Sequence, residues 1–287
     1  DELTLPGLRH DTLSTAHPMF LVGPAYAALG KALHAAGLQY CNTDSPTGVL
    51  TPDGPQLISN GQPTGSAYGG VGVVLIDQGS DRTIDFLCSG SLISPTVLLT
   101  AGHCILGAGT TYYISFAPDV IPLPPASALI PSTTAFASTA DDIGVIILPT
   151  GSTTGIPVYN LPTLGLLDQL NAQGGLARDR AVVVGYGVDR LQGMQTSELD
   201  GVRKVTTAKI QSLVGSFIVL SGAEGQSSHG SVCFGDSGGP MFLANGDPNT
   251  IVGVNDAVQQ FGCQGHAVEV RLDTPTALGF LGQYVTP

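Results

Sequence analysis

The chain has 287 residues, 39 of them glycine and 20 proline, and only 11% are charged. That length suits one large all-β domain or two smaller units with a sizeable core. A net charge of −12 argues against nucleic acid or an anionic membrane as partner and is silent on substrate charge. No stretch reaches the apolar length of a membrane helix. The start lacks a basic segment followed by an apolar core, so any secretion signal is expected to have been removed already.

Residues 1–40 differ in character from the rest. Between 24 and 37, Tyr26, Leu29 and Leu33 recur at helical spacing with Pro24 before them and Gly37 after, which predicts one short amphipathic helix. His10, His17 and His34 have no acidic or cysteine partner at ligand spacing, so no metal is expected there. Residues 42–70 have the Gly, Pro, Thr and Ser content of a linker or extended arm. Short apolar or alternating runs then follow at 71–76, 84–87, 91–93, 97–99, 112–116 and 143–148. After a turn-rich middle come 181–188, 203–213, 217–220, 251–254 and 267–272. Gly and Pro punctuate nearly every gap, the pattern of antiparallel sandwiches or barrels rather than of βαβ units. Residues 276–284 predict a terminal helix. Internal repeats and low-complexity tracts are absent.

Three stretches carry chemistry: Leu99-Thr100-Ala101-Gly102-His103-Cys104, Asp141-Asp142-Ile143-Gly144, and Cys233-Phe234-Gly235-Asp236-Ser237-Gly238-Gly239-Pro240. A serine hydroxyl is a weak nucleophile and needs an exposed tight turn, a neighbouring base, and backbone N–H groups aimed at the oxygen that becomes negative. Glycines around Ser237 allow such a turn and leave room for a substrate chain. Asp236 is adjacent to Ser237 and points away from it, so it suits a role in holding the turn. The window 235–239 also satisfies the Gly-x-Ser-x-Gly pattern of α/β esterases, but the all-β signals and the order His, Asp, Ser do not fit that fold.

With these motifs in this order, the chain resembles the trypsin/chymotrypsin-type (S1 family) serine proteases over about residues 58–287. The resemblance implies two packed six-stranded antiparallel β-barrels, the first about 58–165 and the second about 166–287, with the site in the cleft between them and a C-terminal helix. Residues 1–57 would be an N-terminal extension or pro-segment containing the short helix. His103 is then the general base and later the general acid, a task suited to a group that moves protons near neutral pH. Asp142 orients the imidazole, with Asp141 its solvated neighbour, and Gly235 and Ser237 supply the oxyanion-hole N–H groups. Gly102, where relatives often carry Ala, is read as a harmless departure.

The family's disulfides imply Cys88–Cys104 and Cys233–Cys263, each worth roughly 3 kcal/mol for short loops, in an oxidising secreted or periplasmic setting. Cys41 is left over, either a buried or free thiol or an intermolecular link. With no C-x-x-C, a zinc site is not expected, and with only Asp119 between 105 and 140, neither is the calcium loop of trypsins. No cofactor is implied. Family precursors are cut before Ile-Val-x-Gly, and Ile58-Ser59-Asn60-Gly61 is a partial match. A new α-amino group on Ile58 would pair with Asp236 as a switch; the rival is a permanent extension with Asp236 satisfied from within.

Substrate preference rests on less. Ser231 stands where trypsins carry an aspartate at the pocket floor, and Ala267 takes the place of a pocket-wall glycine, so a small or apolar P1 side chain is expected rather than Arg or Lys. Asp256 or Glu269 would restore a taste for basic residues if either turned toward the pocket. Otherwise Asp256 is a hydrogen-bonded cap behind the triad and Glu269 is solvated or paired with Arg271. The function expected is a secreted, monomeric serine endopeptidase acting on proteins or peptides, a zymogen if 1–57 is removed. The alternative is a catalytically silent binding or adhesion module on the same fold.

Overall fold

The computed structural model describes Leu3 and residues 61–79, 81–187, 201–221, 232–260 and 264–285. The predicted helix between 24 and 37, the arm up to residue 60, Ile58, Cys41, Ser231 and Cys263 all lie outside them. Leu3 is buried within the larger apolar cluster.

The first barrel is built from β2 (Val71–Asp77), β3 (Phe86–Ser94), β4 (Val97–Ala101), β5 (Thr111–Ser115), β6 (Ile130–Ser132), β7 (Ala135–Ala137) and β8 (Ile143–Ile147), in the order β6-β5-β2-β3-β4-β8-β7. All its pairs are antiparallel. No ladder joins β6 to β7. Only Thr133 and Thr134 separate them, and this link is tied to β8, with Thr134 O accepting from Ile147 N at 2.8 Å and Ser132 Oγ donating to Ile147 O at 2.6 Å, so the sheet curls into a half-barrel. β2 is buried along its whole length, which is why it reads as a near-continuous apolar run instead of alternating.

The second barrel is closed by ladders. Strands β9 (Arg180–Gly185), β10 (Lys204–Val214), β11 (Phe217–Leu220), β12 (Pro240–Leu243), β13 (Gly253–Gln260) and β14 (Gln264–Arg271) run in the order β10-β11-β14-β13-β12-β9, and β9 pairs again with β10. The short β1 (Gln62–Pro63) adds to the edge of β10, so the segment leading into the first barrel is stitched onto the second. An all-β, two-barrel architecture results.

Differences from the sequence reading have local causes. The runs at 84–87 and 91–93 form one strand, because the Ser89–Gly90–Ser91 stretch between them is buried and paired with β2. The short strands β1, β6, β7 and β12 were not anticipated, nor was helix α1 (Leu166–Ala172) in the turn-rich middle. Its N-terminus is capped from a distance: Leu167 N donates to Asp273 Oδ2 at 2.7 Å, and Leu167 joins the core of the second barrel. A cap supplied from 106 residues away leaves no local signal. The terminal helix is α2 (Pro275–Leu281), with Thr274 Oγ1 accepting from Ala277 N at 3.1 Å and Pro275 in the first turn.

Between the barrels lies a buried cation, Arg203, only 1% exposed. Its Nη1 donates to Val71 O at 2.9 Å, Phe116 O at 3.0 Å and the Tyr186 hydroxyl at 3.2 Å. Nη2 donates to Gly65 O at 3.1 Å and Ala67 O at 3.0 Å, and Nε to Thr64 Oγ1 at 2.9 Å. Tyr186 in turn donates its O–H to Ala117 O at 2.6 Å, and burial pushes its phenol up to about 12. The charge is satisfied by carbonyl dipoles of the first barrel and the 64–67 turn together with the Tyr186 hydroxyl of the second barrel, which a flexible ammonium with three donors does not reproduce. Arg203→Met should therefore destabilise by about 3–5 kcal/mol by leaving these carbonyls buried and unmatched. Arg203→Lys should recover less than half of that; denaturant titration measures both, and a wild-type midpoint for either would refute the joint.

Candidate active site

His103 sits on a single 3₁₀ turn, Gly102–Cys104, directly after β4. Asp142 immediately precedes β8. Because Ala101 pairs with Ile143, the two segments leave the sheet side by side. Asp142 grips the histidine twice: His103 Nδ1 lies 2.6 Å from Oδ2, and the His103 backbone N–H donates to Oδ1 at 2.7 Å. Burial alone would raise the Asp142 carboxyl. The charge of the His103 imidazole, with hydrogen bonds from its ring and backbone N–H, outweighs burial and brings it down to about 2. The Cys88–Cys104 disulfide ties the turn to β3.

Two expectations for this corner are corrected. Asp141 is not a solvated neighbour: it is buried, its Oδ2 has no hydrogen-bond partner, and burial raises its carboxyl. Nor is Gly102 interchangeable with Ala without adjustment. A Cβ there would lie 2.7 Å from Asp142 Oδ1, so the carboxylate occupies space that a methyl group would claim.

Ser237 lies on the turn between Cys233 and β12. Gly235 has φ +95°, in the left-handed region, and a Cβ on it would lie 2.7 Å from Leu87 Cδ2. The turn is seated against the first barrel: Ser89 N donates to Ser237 O at 2.8 Å, Ser89 Oγ donates to Gly235 O at 2.8 Å, and Cys104 Sγ lies 3.9 Å from Ser237 O. From the second barrel, Asn255 O accepts from Gly238 N at 2.8 Å and Asn255 Nδ2 donates to Asp236 O at 3.2 Å. Among the described residues, the N–H groups of Gly235 and Ser237 donate to nothing, and the Ser237 hydroxyl makes no hydrogen bond.

Asp236 is fully buried; Oδ1 accepts from Gly187 N and Oδ2 from Cys233 N, both at 2.8 Å. Gly187 has no room for a side chain, since a Cβ would lie 2.5 Å from the Asp236 carboxyl carbon. Cys233 is itself disulfide-bonded.

The residues singled out for specificity divide. Ser231 and Cys263 lie outside the described residues. Ala267 is buried in the core cluster of the second barrel, across from Leu220 and Val258. Asp256 is buried behind the imidazole, its Oδ1 3.9 Å from His103 Nδ1. Glu269 is neither solvated nor paired with Arg271. It is 0% exposed, neither oxygen has a hydrogen-bond partner among the described residues, and burial first, then the nearby charge of Asp236, raise its carboxyl well above the usual range. Arg271 is taken by Asp273, at 2.9 Å, and by Asp168, at 2.8 Å.

Ser89, Gly187 and Asn255 escaped the sequence reading. Each reaches the serine turn from a segment distant in sequence, Ser89 and Asn255 through both backbone and side-chain groups and Gly187 through its N–H, and only the Gly-Tyr-Gly at 185–187 offers a local hint. His103, Asp142 and Asp256 place donor atoms within 4.8 Å of one another and could gather a cation; the other such group among the described residues, with Cys88 and Cys104, is tied up as a disulfide.

Two barrels with an imidazole–carboxylate pair at the rim of one and a Gly-Asp-Ser-Gly-Gly turn at the rim of the other define the chymotrypsin-like class. The sequence profile of the trypsin family matches residues 67–274, and the chain belongs to that family. Among solved structures it is similar to HL collagenase, at 23% identity over 78% of this chain and 95% of that one, TM-score 0.58. Human heparin binding protein shares 16% identity over 79% of this chain and 96% of its own, TM-score 0.58. A scabies mite inactivated protease paralogue, S-I1, shares 15% over 78% and 98%, TM-score 0.55. At these identities the likeness is one of fold.

Opposed protonation gives the site a pH signature. Glu269 binds a proton more tightly folded than unfolded, so its contribution is present below the ordinary glutamate range and lost as pH rises above it. Asp142 is the reverse: its contribution holds above the ordinary aspartate range and is lost as pH falls toward about 2. Glu269→Gln should flatten the loss of stability between weakly acidic and weakly alkaline pH, each unit of displacement being worth about 1.4 kcal/mol. Thermal melts of both proteins across that range check it; parallel curves would show that Glu269 ionises normally.

Proposed function

We propose that the protein is a secreted serine endopeptidase that cleaves peptide bonds through an acyl-enzyme formed on Ser237. The observation that carries the reading is the double grip of Asp142 on His103, at 2.6 and 2.7 Å, beside a serine turn whose Gly235 and Ser237 N–H groups are unspent. In this reading Asp142 fixes the imidazole with its proton on Nδ1, leaving Nε2 to take the Ser237 proton as the hydroxyl attacks the scissile carbonyl. The Gly235 and Ser237 N–H groups receive the oxyanion, and the imidazolium returns the proton to the leaving amine. In the absence of substrate such hydrogen bonds are often open and tighten in the complex.

Ser231, in the sequence position of the trypsins' pocket-floor aspartate, and a Glu269 carboxyl raised well above its usual range by burial favour a small or apolar P1 side chain over Arg or Lys. Protein or peptide substrates follow from the family, as does export to an oxidising compartment that preserves Cys88–Cys104. No helix among the described residues is long and apolar enough to cross a membrane. Residues 1–57 are read as a pro-segment ahead of Ile58. N-terminal sequencing of the active form should begin at Ile58; an active enzyme still starting at Asp1 would end that part.

A second reading has an observation of its own: a heparin binding protein and inactivated paralogues share this fold, so the domain could bind without cleaving. A fluorophosphonate probe separates the two. Wild type should label and Ser237→Ala should not, while Asp142→Asn should lower kcat by about 10⁴-fold through the wrong tautomer. A folded wild-type protein that resists the probe would favour the binding module.

A further inference from the structure

Asp256 brings a second carboxyl to the imidazole, one that the mechanism above does not use. It sits on β13 at the bulge between Asn255 and Ala257. Its side chain is 1% exposed, and Oδ1 lies 3.9 Å from the same Nδ1 that Asp142 holds at 2.6 Å. Donor atoms of His103, Asp142 and Asp256 all fall within 4.8 Å of one another. Two buried carboxyls with oxygens within 4.8 Å of each other disfavour double ionisation, and a shared proton falls to the one that meets fewer N–H donors.

Geometry decides which. Both oxygens of Asp142 face N–H donors of His103, so Asp142 is the anion. The remaining groups do not alter this. The neighbouring strands β4 and β12 carry no titratable side chain. On β14, Arg271 is engaged by Asp168 and Asp273, Glu269 lies across from Asn255, and the His266 ring is 3.2 Å from Leu220 O.

We propose that Asp256 is a positioning residue, a neutral carboxylic acid whose O–H is donated to Asp142, so that His103 faces an acid–carboxylate pair bearing one negative charge. Gly102 fits the same picture, because the missing methyl leaves the shared carboxylate its space. The role rests on the protease reading, but the protonation state does not.

Two variants and one spectrum test it. The infrared difference between wild type and Asp256→Asn at neutral pH should contain a carboxylic-acid C=O band; carboxylate bands in its place would overturn the proposal whether or not the protein is a protease. In turnover, Asp256→Asn keeps a donor and should stay within about threefold of wild type. Asp256→Ala should lose roughly 10- to 100-fold in kcat with KM little changed, as expected for a misplaced catalytic group, and should shift the His103 Nδ1–H proton resonance that Asp256→Asn preserves. Wild-type kcat in a folded Asp256→Ala, or equal damage in both variants, would refute the donor role. If Asp256→Ala does not fold, the spectrum and Asp256→Asn decide alone. Failure of the fluorophosphonate label in wild type would instead remove the protease reading.

Discussion

A guanidinium buried between two β-barrels is the joint on which the rest of this molecule hangs. Arg203 collects carbonyl groups from β2, from the segment after β5 and from the 64–67 turn, and shares Tyr186 with β9. None of those acceptors carries a formal charge, so the cation is held by the orientation of dipoles, which requires both barrels to be folded and docked. Tyr186 is followed by Gly187, whose N–H anchors Asp236, and Asp236 precedes the serine. The joint is therefore linked through a few hydrogen bonds to the turn that presents the candidate nucleophile.

Around that turn the protein concentrates buried acids and gives each a different solution. Asp142 is kept anionic by N–H donors and an adjacent imidazole, and Asp236 is held by two backbone N–H groups. Glu269 has no hydrogen-bond partner among the described residues, and burial pushes its carboxyl well above the usual range, toward the neutral acid. The difference follows from the donors each carboxyl meets: a buried carboxylate is tolerable only where hydrogen bonds replace its hydration. A chain that is acidic overall still meets this condition locally.

The fold is shared with proteins of other occupations, including a heparin binding protein and inactivated protease paralogues. Barrel geometry thus does not decide activity; the side chains at the rim do. Gly102 and Asp256 fall at that rim, both close to the His103–Asp142 pair.

Much of the architecture is legible in the amino-acid order because it is set by local chemistry. Alternating or continuous apolar runs mark most of the strands, Thr274-Pro275 announces the last helix, and His103, Asp142 and Ser237 stand out because each lies within a short motif of fixed neighbours. What stayed hidden depends on partners distant along the chain. Helix α1 takes its cap from Asp273, β6 and β7 exist because β5 and β8 offer edges, and Asp141 looks solvated until the sheet covers it. Nor can the state of Asp256 or Glu269 be read from residue type, since protonation depends on which donors and charges surround a carboxyl once water is gone. Residue order alone determined most of the strands and the candidate chemistry; only tertiary packing decided which buried acids meet the donors that let them carry charge.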